Sequence, residues 1–136
     1  MKILRVVAAV IENEDQILIA QRLKGEFAGL WEFPGGKIED RETPEQALIR
    51  EIKEEFDTEL DVKQLLTTIE HQYDTFNLIM DCFICSIKSG NLVLHDHMAY
   101  KWINPHVEDI DWVPADVKVI NAYLEYKKKL YGNIKS

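Results

Sequence analysis

Glu51, Glu54 and Glu55 place three carboxylates within five consecutive residues. On a helix turning about 100° per residue they share an arc roughly 100° wide. Like charges so placed repel, and acidic i,i+3 and i,i+4 pairs weaken an isolated helix by roughly 0.2–0.5 kcal/mol each. A multivalent cation removes that repulsion. Oxygen-only ligands suit hard ions, Mg²⁺ or Mn²⁺, and Mg²⁺ characteristically sits between a few carboxylates and substrate phosphates. A solvated acidic helix face is the other reading these three residues allow.

The element that must hold them has a well-marked start. Thr43 can cap the first free N–H groups, Pro44 suits the first helical position and Gln46 completes a capping box. A helix is therefore expected from Pro44, with Leu48, Ile49, Ile52 and Phe56 on its packing side. Just before it, Gly35 and Gly36 allow the backbone to come close to a ligand or metal.

Gly36, five residues, Glu42, seven residues, then Arg50-Glu51-Ile52-Lys53-Glu54-Glu55 resembles the signature of the Nudix hydrolases. That family continues with any residue, a glycine and an aliphatic residue, whereas this chain has Phe56, Asp57 and Thr58. The glycine closes the helix in a left-handed conformation, which Asp adopts more readily than most non-glycine residues but at some cost. The departure concerns the cap and leaves every charged position of the signature in place.

The resemblance implies an α/β fold, the Nudix α/β/α sandwich with a mixed β-sheet between helices, over a single domain of residues 1–136. The order strand, strand, helix, strands, helix agrees with it. It also implies Glu51, Glu54, Glu55 and the Gly35 carbonyl as Mg²⁺ ligands, with Mn²⁺ as a substitute, and Arg50 orienting Glu51. Glu51 is the expected general base, although some members give that task to a loop acid. Asp96 stands where relatives carry an acid that joins the metal shell or assists the base.

A net charge of −8 argues against nonspecific binding to a nucleic-acid polymer. A small phosphorylated substrate is admissible, because bound divalent cations reverse the local field. With 136 residues, 46 % of them hydrophobic, the chain is large enough for one real core. The segment MKILRVVAAVIENEDQ lacks a secretory pattern and no apolar run reaches membrane-spanning length, so a cytoplasmic location is expected. A monomer or a homodimer is expected.

Taken in order, Leu4–Ile11 and Gln16–Gln21 read as a hairpin turning at Glu14-Asp15. Arg22 is either a strand-end surface arginine or a phosphate ligand, and the resemblance to MutT-type members implies an arginine that faces the nucleotide. The following LKGEFAG reads as a flexible loop bordering the site. Trp31 and Phe33 share a face by alternation, as core or as a platform for a base. Lys37 is a phosphate contact or a solvated lysine.

Leu60–His71 and Phe76–Lys88 read as strands around a turn at 73–75. Cys82 and Cys85 lie within the second strand at an odd offset, which sends them to opposite faces as buried thiols rather than a zinc or redox pair. His95 and His97 flank Asp96 in a polar loop, where histidines are more often solvated or hydrogen-bonded than metal-bound. Tyr100–Ile103 is a short strand, and residues 116–131 have helical periodicity through Val117, Ile120, Tyr123, Leu124 and Tyr131. Asp116 is an N-cap or, by resemblance to MutT-type and cytidine-triphosphate-type members, a residue that reads the base. A carboxylate there only accepts hydrogen bonds unless protonated, so an exocyclic amino group is its natural partner.

The implied reaction is Mg²⁺-dependent hydrolysis of a nucleoside triphosphate to the monophosphate and pyrophosphate. The runs VVAAVIENEDQILIAQR and AGLWEFPGGK with the PAD segment look more like the cytidine-triphosphate subgroup than the oxidised-guanine one, so CTP, dCTP or a modified pyrimidine is the expected substrate. An 8-oxo-dGTP diphosphatase is the alternative. A non-catalytic nucleotide sensor is a third, which loss of signature carboxylates would favour, and none is lost.

Overall fold

Val7 to Ile11 are all buried, the pattern of a strand covered on both faces and not of a half-exposed hairpin arm. In the computed structural model, which describes the backbone of residues 1–135 and the side chains of 1–132, this run is the middle of β1 (Lys2–Asn13). It turns through Glu14, at φ 56°, into β2 (Gln16–Arg22). The expected hairpin exists only at that turn, where Glu12 pairs with Ile17 and Asn13 with Gln16. The two strands then part and take different partners.

β1 runs parallel to β6 (Phe76–Gly90), from Lys2 beside Phe76 to Ile11 beside Cys85. It also pairs antiparallel with the short β4 (Gly35–Lys37). β2 pairs antiparallel with β3 (Trp31–Glu32) and β7 (His97–Ile103), and β5 (Thr58–Gln72) with β6. The sheet is therefore mixed, with order β3-β2-β1-β6-β5 and β4 and β7 joined to β1 and β2.

Alternation along β1 separates two cores. Ala8 and Val10 face one cluster with Ala115, Val119, Ile120 and Tyr123 of α2 (Pro114–Lys135). Val7, Ala9 and Ile11 face the other with Ala47, Leu48, Ile52 and Phe56 of α1 (Pro44–Phe56). This is the expected sandwich. Cys82 joins the first cluster and Cys85 the second, both as free thiols. Burial pushes the Cys85 thiol up to about 12 and raises that of Cys82 as well, so neither is a nucleophile.

α1 starts as its sequence demands, with Thr43 Oγ1 accepting from Gln46 N at 3.1 Å and Gln46 Oε1 accepting from Thr43 N at 2.9 Å. It ends on Asp57 in the left-handed region, φ 52° and ψ 39°, whose N–H donates to Lys53 O at 3.0 Å. Asp57 thus takes the glycine's conformation and keeps the cap. One packing assignment fails: Ile49 is 42 % exposed, and Ala47 takes its place in the core. Ile49 projects roughly 100° around from Leu48, at the rim of the packed arc.

α2 begins at Pro114, two residues before the expected start, so Asp116 lies inside the first turn and is not the N-cap. Its packed face is Ala115, Val119, Ile120 and Tyr123, with Leu124 at the edge. Val117 and Tyr131 are 41 % and 60 % exposed, because the amphipathic stripe is narrower than the run of apolar letters.

Candidate active site

β4 lies close to both β1 and α1 because of its glycines. A Cβ on Gly35 would lie 1.9 Å from the Val7 carbonyl oxygen, and one on Gly36 would lie 2.2 Å from Cδ of Glu51. Ala9 N donates to Pro34 O and Ile38 N to Arg5 O, which makes Ala8–Gly35 and Val6–Lys37 the alternate pairs without ladder bonds. The Gly35 carbonyl therefore points away from β1, on the same edge as the Lys37 carbonyl, which accepts from Arg50 Nη2 at 3.0 Å.

Arg50 ties the signature together. Its Nε and Nη2 donate to the two oxygens of Glu42 at 2.6 and 2.9 Å, and its Nη1 to Glu51 Oε1 at 2.9 Å and Glu54 Oε2 at 3.2 Å. These bonds, with one from Glu39 N, hold the Glu42 carboxyl down at about 2, and raise Arg50 above its ordinary value. Arg50 thus bridges Glu42, Glu51 and Glu54 with one guanidinium.

Glu51, Glu55 and Asp96 line one cleft, of about 570 Å³, together with Arg22, Glu32, Gly35, Gly36, Lys37 and His97. Burial raises the Glu51 carboxyl, against the lowering effect of Arg50. Glu55 is pushed up to about 7, first by burial and then by its hydrogen bond to Asp96 and the charges of Asp96 and Glu51. By helical projection Glu55 falls only about 20° from Leu48, which explains why it is drawn toward the core. Glu54 is turned the other way, 58 % exposed, and does not line this cleft. Among the described residues no three acidic, His or Cys side chains converge at metal-ligating separation.

The donor set nevertheless fits a hard divalent ion. Among the described residues Glu55 Oε2 is buried with no hydrogen-bond partner, beside the carboxylates of Asp96 and Glu51 and with His97 as its one positive neighbour. Such an oxygen is costly unless a positive group completes it.

A second cleft of about 340 Å³ adjoins the first and shares Arg22, Glu32, Gly35, Gly36 and Lys37 with it. Phe27, Phe33, Tyr73, Phe76, Val113 and Asp116 form its far part. Asp116 Oδ2 accepts from Phe33 N at 2.8 Å, and near-complete burial pushes its carboxyl up to about 8. Phe33 is only 3 % exposed and stacks on Trp112 at 5.0 Å and 18°, so it is first a core residue. Trp31 packs on the same cluster, under the Lys101 ammonium at 4.4 Å.

Arg22 sits where the clefts meet, its Nη1 on Glu32 Oε1 at 3.0 Å, and the exposed Lys37 lines both. His95 bonds Asp57 at 3.1 Å and His97 bonds Glu32 at 2.9 Å, so both histidines are hydrogen-bonded, as expected. Sequence reading did not assign Glu32 or Tyr73 to the site, and it read His97 only as a hydrogen-bonded loop histidine. The one available signal was alternation, which turns Glu32 away from the face shared by the partly buried Trp31 and the buried Phe33.

The mixed sheet between two helices thus carries an acidic cleft beside a cleft walled by aromatic residues. The NUDIX domain model matches residues 2–123. The chain is 37 % identical over 129 residues to the CTP pyrophosphohydrolase of Escherichia coli K12, covering 91 % of this chain and 93 % of that one. It is 44 % identical over 85 residues to an 8-oxo-dGTP diphosphatase of Proteus vulgaris, covering 61 % and 76 %. The solution structure of the E. coli ORF135 protein superposes with a TM-score of 0.81 at 34 % identity, over 93 % of this chain and 92 % of that one.

The chain belongs to the Nudix hydrolase family. It is a hydrolase acting on acid anhydrides, of a family that generally requires divalent metal ions. Among the described residues no helix is long and apolar enough to cross a membrane.

Proposed function

We propose that the protein hydrolyses a nucleoside triphosphate, CTP, dCTP or a modified pyrimidine deoxynucleotide by preference, to the monophosphate and pyrophosphate with Mg²⁺. The observation that carries this reading is the pair of joined clefts, one acidic and one aromatic, with Arg22 and Lys37 at their junction. The acidic cleft suits phosphates with their cation, and the aromatic one suits a base.

In this reading Glu51 accepts the proton of the attacking water. Its raised affinity for a proton suits a base, and Arg50 fixes its direction. Asp96, beside Glu55, is the competing candidate for that role. Glu51, Glu55 and the Gly35 carbonyl, with Asp96 and Glu54 as further donors, would hold a divalent ion that neutralises charge on the oligophosphate. Arg22 and Lys37 bind phosphate oxygens.

Asp116 supports a base with an exocyclic amino group. With its carboxyl pushed up to about 8, it is protonated at neutral pH and both donates and accepts. That matches an amino group beside a ring nitrogen acceptor, as cytosine offers. The resemblance to the Proteus 8-oxo-dGTP diphosphatase favours the oxidised-purine alternative. A panel of CTP, dCTP, 5-methyl-dCTP and 8-oxo-dGTP, with and without Mg²⁺ and with product identification, decides between them. Inactivity on all four would remove both readings. Glu51→Gln should lower turnover by roughly 10²–10⁴ with the fold intact if Glu51 is the base.

A further inference from the structure

We infer that His97 and Glu32 form a positioning chain that aims Arg22 at the junction of the two clefts. The inference rests on the reading of Arg22 as a phosphate ligand. Across β2 and β7, Ala20 pairs with Tyr100 and Gln21 with Ala99, but Arg22 pairs with His97, because the register shifts between Gln21 and Arg22. Met98 is the residue left over. Such a bulge re-aims side chains and recurs at active sites.

On the other side of β2, Glu32 pairs with Ala20. Paired residues share a face, so Glu32, Ala20, Arg22 and His97 all project toward α1. Ala20 is fully buried and small, which leaves room for the Glu32 carboxylate to cross over it. One oxygen of Glu32 accepts from Arg22 Nη1 at 3.0 Å, and the other meets His97 Nε2 at 2.9 Å. A carboxylate only accepts, so Nε2 of His97 carries the hydrogen.

The far end of the chain is fixed. The His97 ring stacks on Phe56 at 5.4 Å and 19°, and Phe56 is fully buried at the end of α1. Among the described residues Arg22 Nε is buried without a hydrogen-bond partner, and the guanidinium is held through Nη1. Direction therefore passes from the α1 core through His97 and Glu32 to Arg22. A flexible arginine so held meets an oligophosphate with its geometry already set.

The test uses His97→Phe, which keeps a ring against Phe56 but removes the donor, and His97→Gln, which keeps a donor. Each is made in the wild-type and in the Arg22→Ala background, and binding of inorganic tripolyphosphate with Mg²⁺ is measured by calorimetry alongside CTP kinetics. His97→Phe should weaken tripolyphosphate binding and raise KM roughly tenfold, with kcat changed less than about threefold, and His97→Gln should recover most of the loss. In the Arg22→Ala background His97→Phe should add nothing.

An undiminished effect in that background, a loss confined to kcat, or no rescue by Gln would overturn the chain. Loss on Arg22→Ala but none on His97→Phe would overturn the chain alone. No loss of tripolyphosphate binding on Arg22→Ala would remove the phosphate reading of Arg22 as well. If none of the nucleotides is hydrolysed, the calorimetric arm still decides.

Discussion

The carboxylate of Glu51 lies against the bare Cα of Gly36, so closely that a Cβ there would sit 2.2 Å from Cδ and 2.3 Å from Oε2. Gly36 is not among the residues at positive φ, so space and not backbone conformation demands glycine. Gly36→Ala should therefore swing Glu51 out of place, away from Arg50 and the cleft. The expected result is a fall in turnover of roughly 10²-fold or more, from displacement of a positioned group by an ångström or so, in a protein that still unfolds cooperatively. Kinetics beside thermal unfolding checks both halves.

Glu42 should make stability depend on pH in the acid range. Its carboxyl is held at about 2 in the fold against 4.5 ordinarily, chiefly by the hydrogen bonds from Arg50. The folded state therefore binds its proton less readily than the unfolded chain does. The contribution is complete above about 4.5 and is lost as pH falls through about 2. Glu42→Gln should lower stability at neutral pH, and the gap to the wild type should close below about 2, as denaturant titrations across that range would show.

Asp116 acts with the opposite sign. Its carboxyl rises from 3.8 to about 8 on folding, so the folded state holds a proton that the unfolded chain has released. Between those values stability falls as pH rises, with a slope approaching about 1.4 kcal/mol per pH unit from this group. Asp116→Asn keeps an oxygen for Phe33 N and cannot ionise. Its stability relative to the wild type should climb from pH 4 to 8 and level off above, read from unfolding midpoints. A flat difference would show that Asp116 stays ionised.

Asp57→Gly should stabilise the protein. Asp57 holds φ 52° at the end of α1, and its ion pair with His95 is exposed. Releasing the left-handed strain is worth roughly 0.5–1 kcal/mol, against a surface pair worth about 0–1 kcal/mol. A rise of a few degrees in Tm with unchanged kinetics is the expected outcome. A fall would mean the His95 contact matters more than the cap.

Much of this was legible from local signals. The capping box at Thr43, the thiols on opposite faces and the strand boundaries near the 73–75 turn are each set by a few neighbouring residues, whereas the left-handed Asp57 answers a question the sequence left open at the cap. The contact of Arg50 with Glu42, eight residues earlier, was not read from the spacing and came only with the fold. Periodicity misled at Ile49, Val117 and Tyr131, because it counts apolar letters and cannot see how far the opposing sheet extends.

The sequence by itself determined the helix of carboxylates, its cap, the family and the class of chemistry, because these depend on residue types at short and fixed spacings. Only the tertiary structure decided which carboxylates share a cleft. Glu55 and Asp96 come together across 41 positions of chain while Glu54, one residue from Glu55, turns to Arg50 and solvent. Likewise Glu32 and His97 meet only because a bulge between β2 and β7 sets their register. Helical spacing fixes directions around one axis, but distances between elements are set by how the strands pair and how the cores pack.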